Sequence, residues 1–208
     1  MLLTLLAFVG AATLIVLLPG PDTLVVVRSI LRGGRRQGLL TAFGNLCGLT
    51  VWVSAAALGL AAMLEASEVG YTVLRVVGAC YLVHLGVQAW RSRGRVDEAV
   101  LGDDRVAARR GVLGTGFRAG VLTNLFNPKV GVFFVTFLPG FVPDGASVLW
   151  TTVVFGAIFI ALTALYWVVL LGLAARVTAW MNTPTVRRRL DTATAVVLVG
   201  FGVQLAAE

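Results

Sequence analysis

The chain has 208 residues, of which 58% are hydrophobic and only 13% are charged, and its mean hydropathy is +0.91. A water-soluble domain is about 45–50% apolar and about 25% charged, so this composition excludes an ordinary soluble fold and predicts an integral membrane protein. The formal net charge of +7 does not indicate a nucleic-acid partner, because the arginines lie in short clusters between apolar runs, as in the loops of membrane proteins.

Six apolar segments follow one another along the chain. A helix needs about 20 apolar residues to cross the hydrocarbon core, and each segment approaches or exceeds that length, the last only marginally. Backbone groups in lipid must find partners within their own segment, so the segments are predicted to be helices. We therefore expect an all-α polytopic membrane protein with six transmembrane helices, formed by Leu2–Ile30, Leu39–Leu64, Val69–Trp90, Gly111–Leu138, Val148–Ala175 and Leu190–Ala207.

The basic residues predict the orientation of these helices. Fourteen of the 17 lysines and arginines fall in alternate connections, around residues 28–36, 91–110 and 176–189. The second connection offers only Glu65 and Glu68, and the fourth only Asp144. The positive-inside rule then places the arginine-rich loops in the cytoplasm and both termini outside a multi-pass protein of the plasma (cytoplasmic) membrane.

The two halves of the chain are similar to each other. The segments Leu82–Gln88 and Leu198–Gln204 share five of seven positions, although a composition rich in Leu, Val and Gly makes chance a competing explanation. With three spans in each half, the halves must have opposite orientations, an arrangement that is common in secondary transporters. We predict one transmembrane domain, residues 1–208, built from two inverted three-helix repeats, about 1–90 and 111–208, with a cytoplasmic linker at about 91–110.

The first and fourth helices are predicted to be broken. In Pro19-Gly20-Pro21 the two prolines remove two backbone donors and clash with the preceding turn, and the glycine between them does not favour a helix. In the fourth segment, Pro128 disfavours helical geometry at Asn127. Unwound backbone inside a membrane is tolerated only within protein or beside a water-filled cavity, and in inverted-repeat transporters such breaks bind the substrate. We also expect backbone groups freed at Gly20 and Asn127 to contact it.

Asp22 and Lys129 each directly follow the proline of a break. A charge near the bilayer centre costs about 2.5–3.5 kcal/mol on insertion scales, so both side chains need partners. One arrangement is a bound zwitterion, with its carboxylate on Lys129 and its ammonium on Asp22. The alternatives are a structural ion pair between the two halves, and snorkelling of one charge to the membrane interface.

Few other polar side chains lie within the spans. Asn45 indicates either an interhelical hydrogen bond or a substrate contact, and Asn124, one turn before Pro128, indicates a role at the second break. The single histidine, His84, is typical of a packing residue, with a proton relay as the alternative. The two cysteines show neither a CxxC motif nor metal-ligand spacing. We predict no cofactor, no metal site and no enzyme activity.

The motifs Leu17-Leu18-Pro19-Gly20-Pro21-Asp22, Arg32–Arg36 and Asn127-Pro128-Lys129 resemble those of one known family. It is the lysine exporter (LysE/RhtB) family of amino-acid exporters, and the resemblance extends to chain length, span number and the spacing of the breaks. It implies export of amino acids or related small metabolites from the cytoplasm, coupled to the proton motive force. Asp22 is then also a candidate carrier of the coupling proton. Family members differ in substrate, and the sequence does not select one.

The predicted function is therefore secondary active export of amino acids or related zwitterions. The predicted partners are an amino acid, protons and the lipid bilayer, without nucleic acid, and a homo-oligomer is left open. A metal-ion or other small-solute exporter, or a channel of similar architecture, is the alternative, although a metal exporter should carry several His, Cys, Asp or Glu residues within its spans. The candidate substrate-binding residues are Pro19, Gly20, Pro21, Asp22, Asn45, Asn124, Asn127, Pro128 and Lys129.

Overall fold

The computed structural model describes residues 2–66, 68–91, 112–143, 145–173 and 184–207, and these ranges are helical apart from short connections, with no β-strand among them. The prediction of an all-α protein is confirmed. The helices are α1 (Leu2–Leu17), α2 (Pro21–Ala66), α3 (Glu68–Arg91), α4 (Val112–Leu125), α5 (Pro128–Val132), α6 (Val148–Gly172) and α7 (Pro184–Ala207). After α5, the chain continues as a π-helical turn, Phe133–Phe137, and a 3₁₀ turn, Leu138–Phe141.

Two helical stretches among the described residues, Pro21–Gly59 and Val148–Gly172, are long and apolar enough to cross a membrane. A third is added if Gly116–Leu125 and Pro128–Phe141, which meet at 48°, are counted as one bent span. α1 has 16 residues, which is short for a complete crossing on its own. The described residues thus include two or three helical stretches that could cross a membrane, and six spans stay a prediction. Apart from Arg91, the predicted linker at 91–110 lies outside the described residues.

The first predicted connection is short, because two helical stretches meet at a kink of two glycines. Helical structure continues from Pro21 to Ala66 and is interrupted only at Gly33 (φ −130°, ψ 16°) and Gly34 (φ 69°, ψ −172°). Positive φ is accessible to glycine because it has no Cβ, so Gly34 lets the chain reverse without a loop of its own. The arginines that predicted a loop between spans one and two therefore lie in helix α2, on both sides of this kink.

α2 and α4 run parallel and pack closely. The space that a Cβ on Gly44 would need is taken by the backbone carbonyl of Phe117, and a Cβ on Gly48 would lie 2.8 Å from the side chain of Asn124. The residue numbers rise together along both helices, which gives the parallel direction. Glycines at i and i+4 allow two backbones to approach, as the sequence predicts for Gly44 and Gly48.

α6 runs antiparallel to α2. Gly38, near the kink, lies against Leu171 at the end of α6, and Val53, further along α2, lies against Gly156. These are the relative directions that alternating arginine loops predict for the second, fourth and fifth segments. Phe8 of α1 stacks on Phe155 of α6 with ring centroids 4.4 Å apart, which brings α1 into the same group.

α3 and α7 form an antiparallel pair through the two similar segments that the sequence contains. A Cβ on Gly86 would meet Val199, and a Cβ on Gly202 would meet Val83, so the contact is reciprocal. The two segments thus contact each other directly, each presenting its glycine to the valine of the other.

Candidate functional site

The first break separates α1 from α2. α1 ends at Leu17, residues 18–20 are not helical, and α2 begins at Pro21. Proline is well suited to the first position of a helix, because its missing N–H would have no intrahelical partner there. The break predicted from Pro19-Gly20-Pro21 is therefore confirmed.

The second break separates α4 from α5. Asn127 has extended geometry (φ −78°, ψ 107°), and its side chain caps α5 by accepting a hydrogen bond at 3.1 Å from the backbone N–H of Lys129. The predicted departure of Asn127 from helical geometry before Pro128 is thus confirmed, and its physical reason includes an N-cap that the sequence pattern alone did not reveal.

The carboxylate of Asp22, beside the first break, is bound by side chains of the second break. Asp22 Oδ2 accepts a hydrogen bond from Asn127 Nδ2 at 2.8 Å and another from Asn124 Nδ2 at 3.2 Å. Asp22 also lies in the first turn of α2, where the helix dipole favours a negative charge. Two neutral amides and a helix terminus therefore stabilise this charge.

The ammonium group of Lys129, beside the second break, is bound by backbone groups of the first break. Lys129 Nζ donates to the backbone carbonyls of Leu18 at 2.8 Å and Ile15 at 3.1 Å. These groups belong to the C-terminal end of α1, where carbonyls lack intrahelical partners and the dipole favours a cation. The carbonyls of Gly20 and Asn127, expected to be freed, instead accept from the helices that follow them, through Leu24 and Val130.

Asp22 and Lys129 do not pair with each other directly. Among the described residues, no nitrogen–oxygen pair within 4.0 Å joins these two side chains. Each charge is bound by uncharged groups of the opposite break instead. Four hydrogen bonds, two on each charge, therefore tie the two breaks together, and we call this arrangement the crossed clamp.

A small cavity with both polar and apolar side chains in its walls lies beside the crossed clamp, and we call it the polar cavity. Its volume is about 30 Å³, enough for one or two water molecules and too small for an amino acid. The site is therefore closed in this conformation. The cavity is lined by Ile15, Val16, Asp22, Thr23, Asn45, Leu49, Asn124, Lys129, Val130, Phe159, Thr163, Tyr166 and Trp167.

Helix α6 supplies the opposite wall of this cavity. Trp167 Nε1 donates to Asn45 Oδ1 at 3.1 Å, and Tyr166 OH lies 3.2 Å from Thr23 Oγ1. Of the two roles that the sequence leaves open for Asn45, the interhelical hydrogen bond is present, and the residue also lines the cavity. Asn45 is only 1% exposed.

Three polar atoms of the cavity-lining residues are buried without a hydrogen-bond partner in the part of the chain that the structure describes. They are Asp22 Oδ1, Asn45 Nδ2 and Asn124 Oδ1. Leaving a buried polar group unsatisfied costs about 1–3 kcal/mol, so three of them around one cavity indicate a place for a polar ligand or water.

The strongest single indication of family membership comes from comparison with known protein families. The model of the family described as LysE type translocator matches residues 13–208. The chain belongs to the LysE type translocator family. The resemblance to this family that the sequence motifs indicate is thereby confirmed.

Three relatives match this chain over nearly its whole length. An uncharacterized membrane protein of Pseudomonas aeruginosa is 31% identical, with 96% of this chain and 93% of that protein covered. The homoserine/homoserine lactone efflux protein of Salmonella typhi is 27% identical (96% and 94% covered), and the threonine efflux protein of Escherichia coli is 28% identical (90% and 89% covered). No solved structure matches the chain.

A second cavity lies beside the second break. It has a volume of about 380 Å³ and is lined mainly by apolar groups of α2, α3 and the segment Leu125–Thr136, including Trp52. Trp52 Nε1 donates to the backbone carbonyl of Asn124 at 3.3 Å. The size suits a small molecule, but its walls offer few partners for the charges of a zwitterion.

The structure brings most of the predicted site residues together and adds others. Asp22, Asn45, Asn124 and Lys129 line the polar cavity, Asn127 binds Asp22, and the prolines and Gly20 shape the breaks. The residues added are Thr23, Tyr166 and Trp167, which are not among the site residues predicted from the sequence. Their positions in the sequence could have indicated this, because Thr23 directly follows Asp22, and Tyr166 and Trp167 are adjacent residues whose side chains can donate hydrogen bonds. Within the described residues, no group of three or more His, Cys, Asp or Glu side chains could hold a metal ion.

Proposed function

We propose that this chain is a secondary active exporter of amino acids or related small zwitterionic metabolites, moving them out of the cytoplasm and driven by the proton motive force. The single observation that carries this proposal is the crossed clamp beside a buried polar cavity. Support comes from the relatives, of which two are named as efflux proteins for homoserine and threonine.

The crossed clamp suits alternating access because it can exist only when the two breaks are together. Asp22 is bound by Asn124 and Asn127, and Lys129 by carbonyls of α1, so separating the breaks leaves both charges without partners. A buried charge needs compensation. At Asp22, the ammonium of an entering zwitterion or a bound proton supplies this compensation, so opening is coupled to the cargo.

The proposed architecture is six spans in two inverted repeats, residues 1–90 and 111–208, with arginine-rich loops in the cytoplasm and both termini outside. The relative directions of α2, α4 and α6 support it, as does the reciprocal packing of Gly86 on Val199 and Gly202 on Val83. In this arrangement the two breaks face each other near the bilayer midplane, as in other inverted-repeat carriers.

The proposal is tested by efflux from cells preloaded with mixed amino acids or dipeptides, with and without an uncoupler. We expect cells that produce the protein to release one or a few amino acids faster than cells that lack it, and the uncoupler to abolish the difference. Faster release that the uncoupler leaves unchanged indicates a channel. Equal release of every amino acid from both kinds of cell contradicts an amino-acid exporter.

Removing either charge of the crossed clamp is expected to stop transport. Asp22→Asn keeps the size of the side chain and removes its charge, and Lys129→Met removes the ammonium that binds α1. Efflux should fall to the level of cells without the protein, while the amount in the membrane stays normal. Arg35→Gln, which removes an exposed charge beside the kink of α2, is the matched control and should export normally. Wild-type efflux by both clamp variants would falsify this assignment.

A further inference from the structure

The orientation of the Asn45 side-chain amide is determined by its partner. The indole N–H of Trp167 can only donate, so the oxygen of Asn45 must face it, at 3.1 Å. The amino group, Nδ2, is then the unpaired end of a side chain that lines the polar cavity. Asn45 thus offers the cavity a hydrogen-bond donor.

The orientation of Asn124 is determined in the same way and gives the opposite result. A carboxylate can only accept, so Nδ2 of Asn124 faces Asp22 Oδ2, and the oxygen of Asn124 is the unpaired end. Asp22 Oδ1 is unpaired as well. These two residues therefore offer the cavity two hydrogen-bond acceptors.

The hydroxyl pair of Thr23 and Tyr166 supplies a further donor. The two hydroxyls carry two hydrogens and share one hydrogen bond, so one hydrogen is not used between them. Lys129, in contrast, already uses two of its three ammonium hydrogens on the carbonyls of Leu18 and Ile15. Turning Lys129 toward a ligand would release the end of α1.

We propose that the two acceptors, Asp22 Oδ1 and Asn124 Oδ1, bind the α-ammonium of the substrate, and that Asn45 Nδ2 and the Thr23–Tyr166 hydroxyl pair bind its α-carboxylate. This assignment rests on the proposed function, because the closed cavity must widen before an amino acid can enter. Lys129 then acts as a positioning residue that fastens the second break to α1. The substrate class is any amino acid with a free α-carboxylate, recognised through its backbone groups.

The test compares binding of acids and amides by the purified full-length protein. The probes are an equimolar mixture of the twenty proteinogenic L-amino acids and a matched mixture of their α-amides, which keep the ammonium and lose the carboxylate charge. Each mixture is titrated while the thermal unfolding midpoint is followed, which reports apparent affinity. A hydrogen bond to a charged group is worth considerably more than one to a neutral group, so the wild type should prefer acids by about tenfold.

Two substitutions separate the roles of Asn45 and Lys129. Asn45→Asp keeps the acceptor for Trp167 and replaces the donor with an acceptor, and Asn45→Leu removes the donor without burying a charge. Both should lower the preference for acids to about threefold, because only the Thr23–Tyr166 pair is left to bind the carboxylate, whereas Lys129→Met should keep the tenfold preference. Since Asn45→Leu adds no charge to the membrane, it serves if Asn45→Asp does not fold.

Two results overturn the assignment. If Lys129→Met loses the preference and Asn45→Leu keeps it, the carboxylate is bound by Lys129, and the exporter proposal is unaffected. If the wild type binds amides as tightly as acids, the carboxylate is not recognised at all. In either case, efflux of amino acids by the wild type leaves the proposed function standing. A wild type that neither binds nor exports any amino acid overturns both the assignment of the binding groups and the proposed function.

Discussion

At the scale of single residues, Gly20 makes room for the ammonium of Lys129. A Cβ at this position would lie 3.2 Å from Nζ, closer than an ordinary van der Waals contact. Gly20→Ala should therefore displace Nζ by a few tenths of an ångström and lengthen its bonds to Ile15 and Leu18. We expect efflux to fall several-fold, but less than in Lys129→Met.

The matched control for this substitution is Gly10→Ala in α1. No described atom lies within 4 Å of the position that its Cβ would occupy, so an alanine there meets only open space. Efflux should equal that of the wild type, with both variants measured at equal protein levels in the membrane. Normal efflux by Gly20→Ala would show that the close approach of Lys129 does not matter for transport.

The charged residues of the site could be predicted at this scale, but their hydrogen-bond partners could not. Asp22 and Lys129 are conspicuous because charge is costly in an apolar span, and Pro128 acts on its immediate neighbour in the chain. The partners of both charges come from the opposite break, more than 100 positions away. Which groups meet across that distance depends on helix packing, for which the sequence gives no local signal.

At the scale of helices, proline and glycine had different predictive value. Proline acts through covalent geometry, so both breaks are where the sequence predicts them. The glycines of Arg32–Arg36 were predicted to lie in a connection, and the structure reduces that connection to a two-residue kink between two helical stretches. Glycine permits many conformations without requiring one, so a kink and a loop have the same local signature.

The close packing of α2 and α4 should be sensitive to a single methyl group. A Cβ on Gly120 would overlap the backbone carbonyl of Thr41, which cannot move aside as a side chain can. Overpacking costs about 1–3 kcal/mol. Gly120→Ala should therefore lower the midpoint of thermal unfolding in detergent by roughly 2–10 °C, given the size of the chain.

Gly200→Ala provides the comparison for this prediction. It is the same substitution within helix α7, and no described atom lies within 4 Å of the added Cβ. Its midpoint should stay close to that of the wild type, because alanine favours a helix at least as well as glycine does. An equal loss of stability in both variants would mean that the contact between α2 and α4 is looser than the structure indicates.

At the scale of the whole molecule, the structure places the α2 kink and the start of α6 at opposite ends of the helix group. Gly38, next to the kink, lies against Leu171 at the far end of α6. α6 has 25 residues, and at 1.5 Å per residue its start is about 37 Å away, slightly more than the hydrocarbon core of a bilayer. Arg35 and Ala146 should therefore face opposite sides of the membrane.

Single cysteines test both this separation and its absolute direction. In a chain with Cys47→Ala and Cys80→Ala, a membrane-impermeant maleimide added to spheroplasts should label Ala146→Cys at once. It should label Arg35→Cys only after the membrane is permeabilised, because the positive-inside rule holds the arginines of the kink in the cytoplasm. Labelling of both cysteines from the same side would contradict the separation by α6, whereas labelling of Arg35→Cys alone would keep the fold and reverse its orientation. In that second outcome, the arginine-rich side of the protein would face outward, and the crossed clamp would belong to a carrier of the opposite orientation.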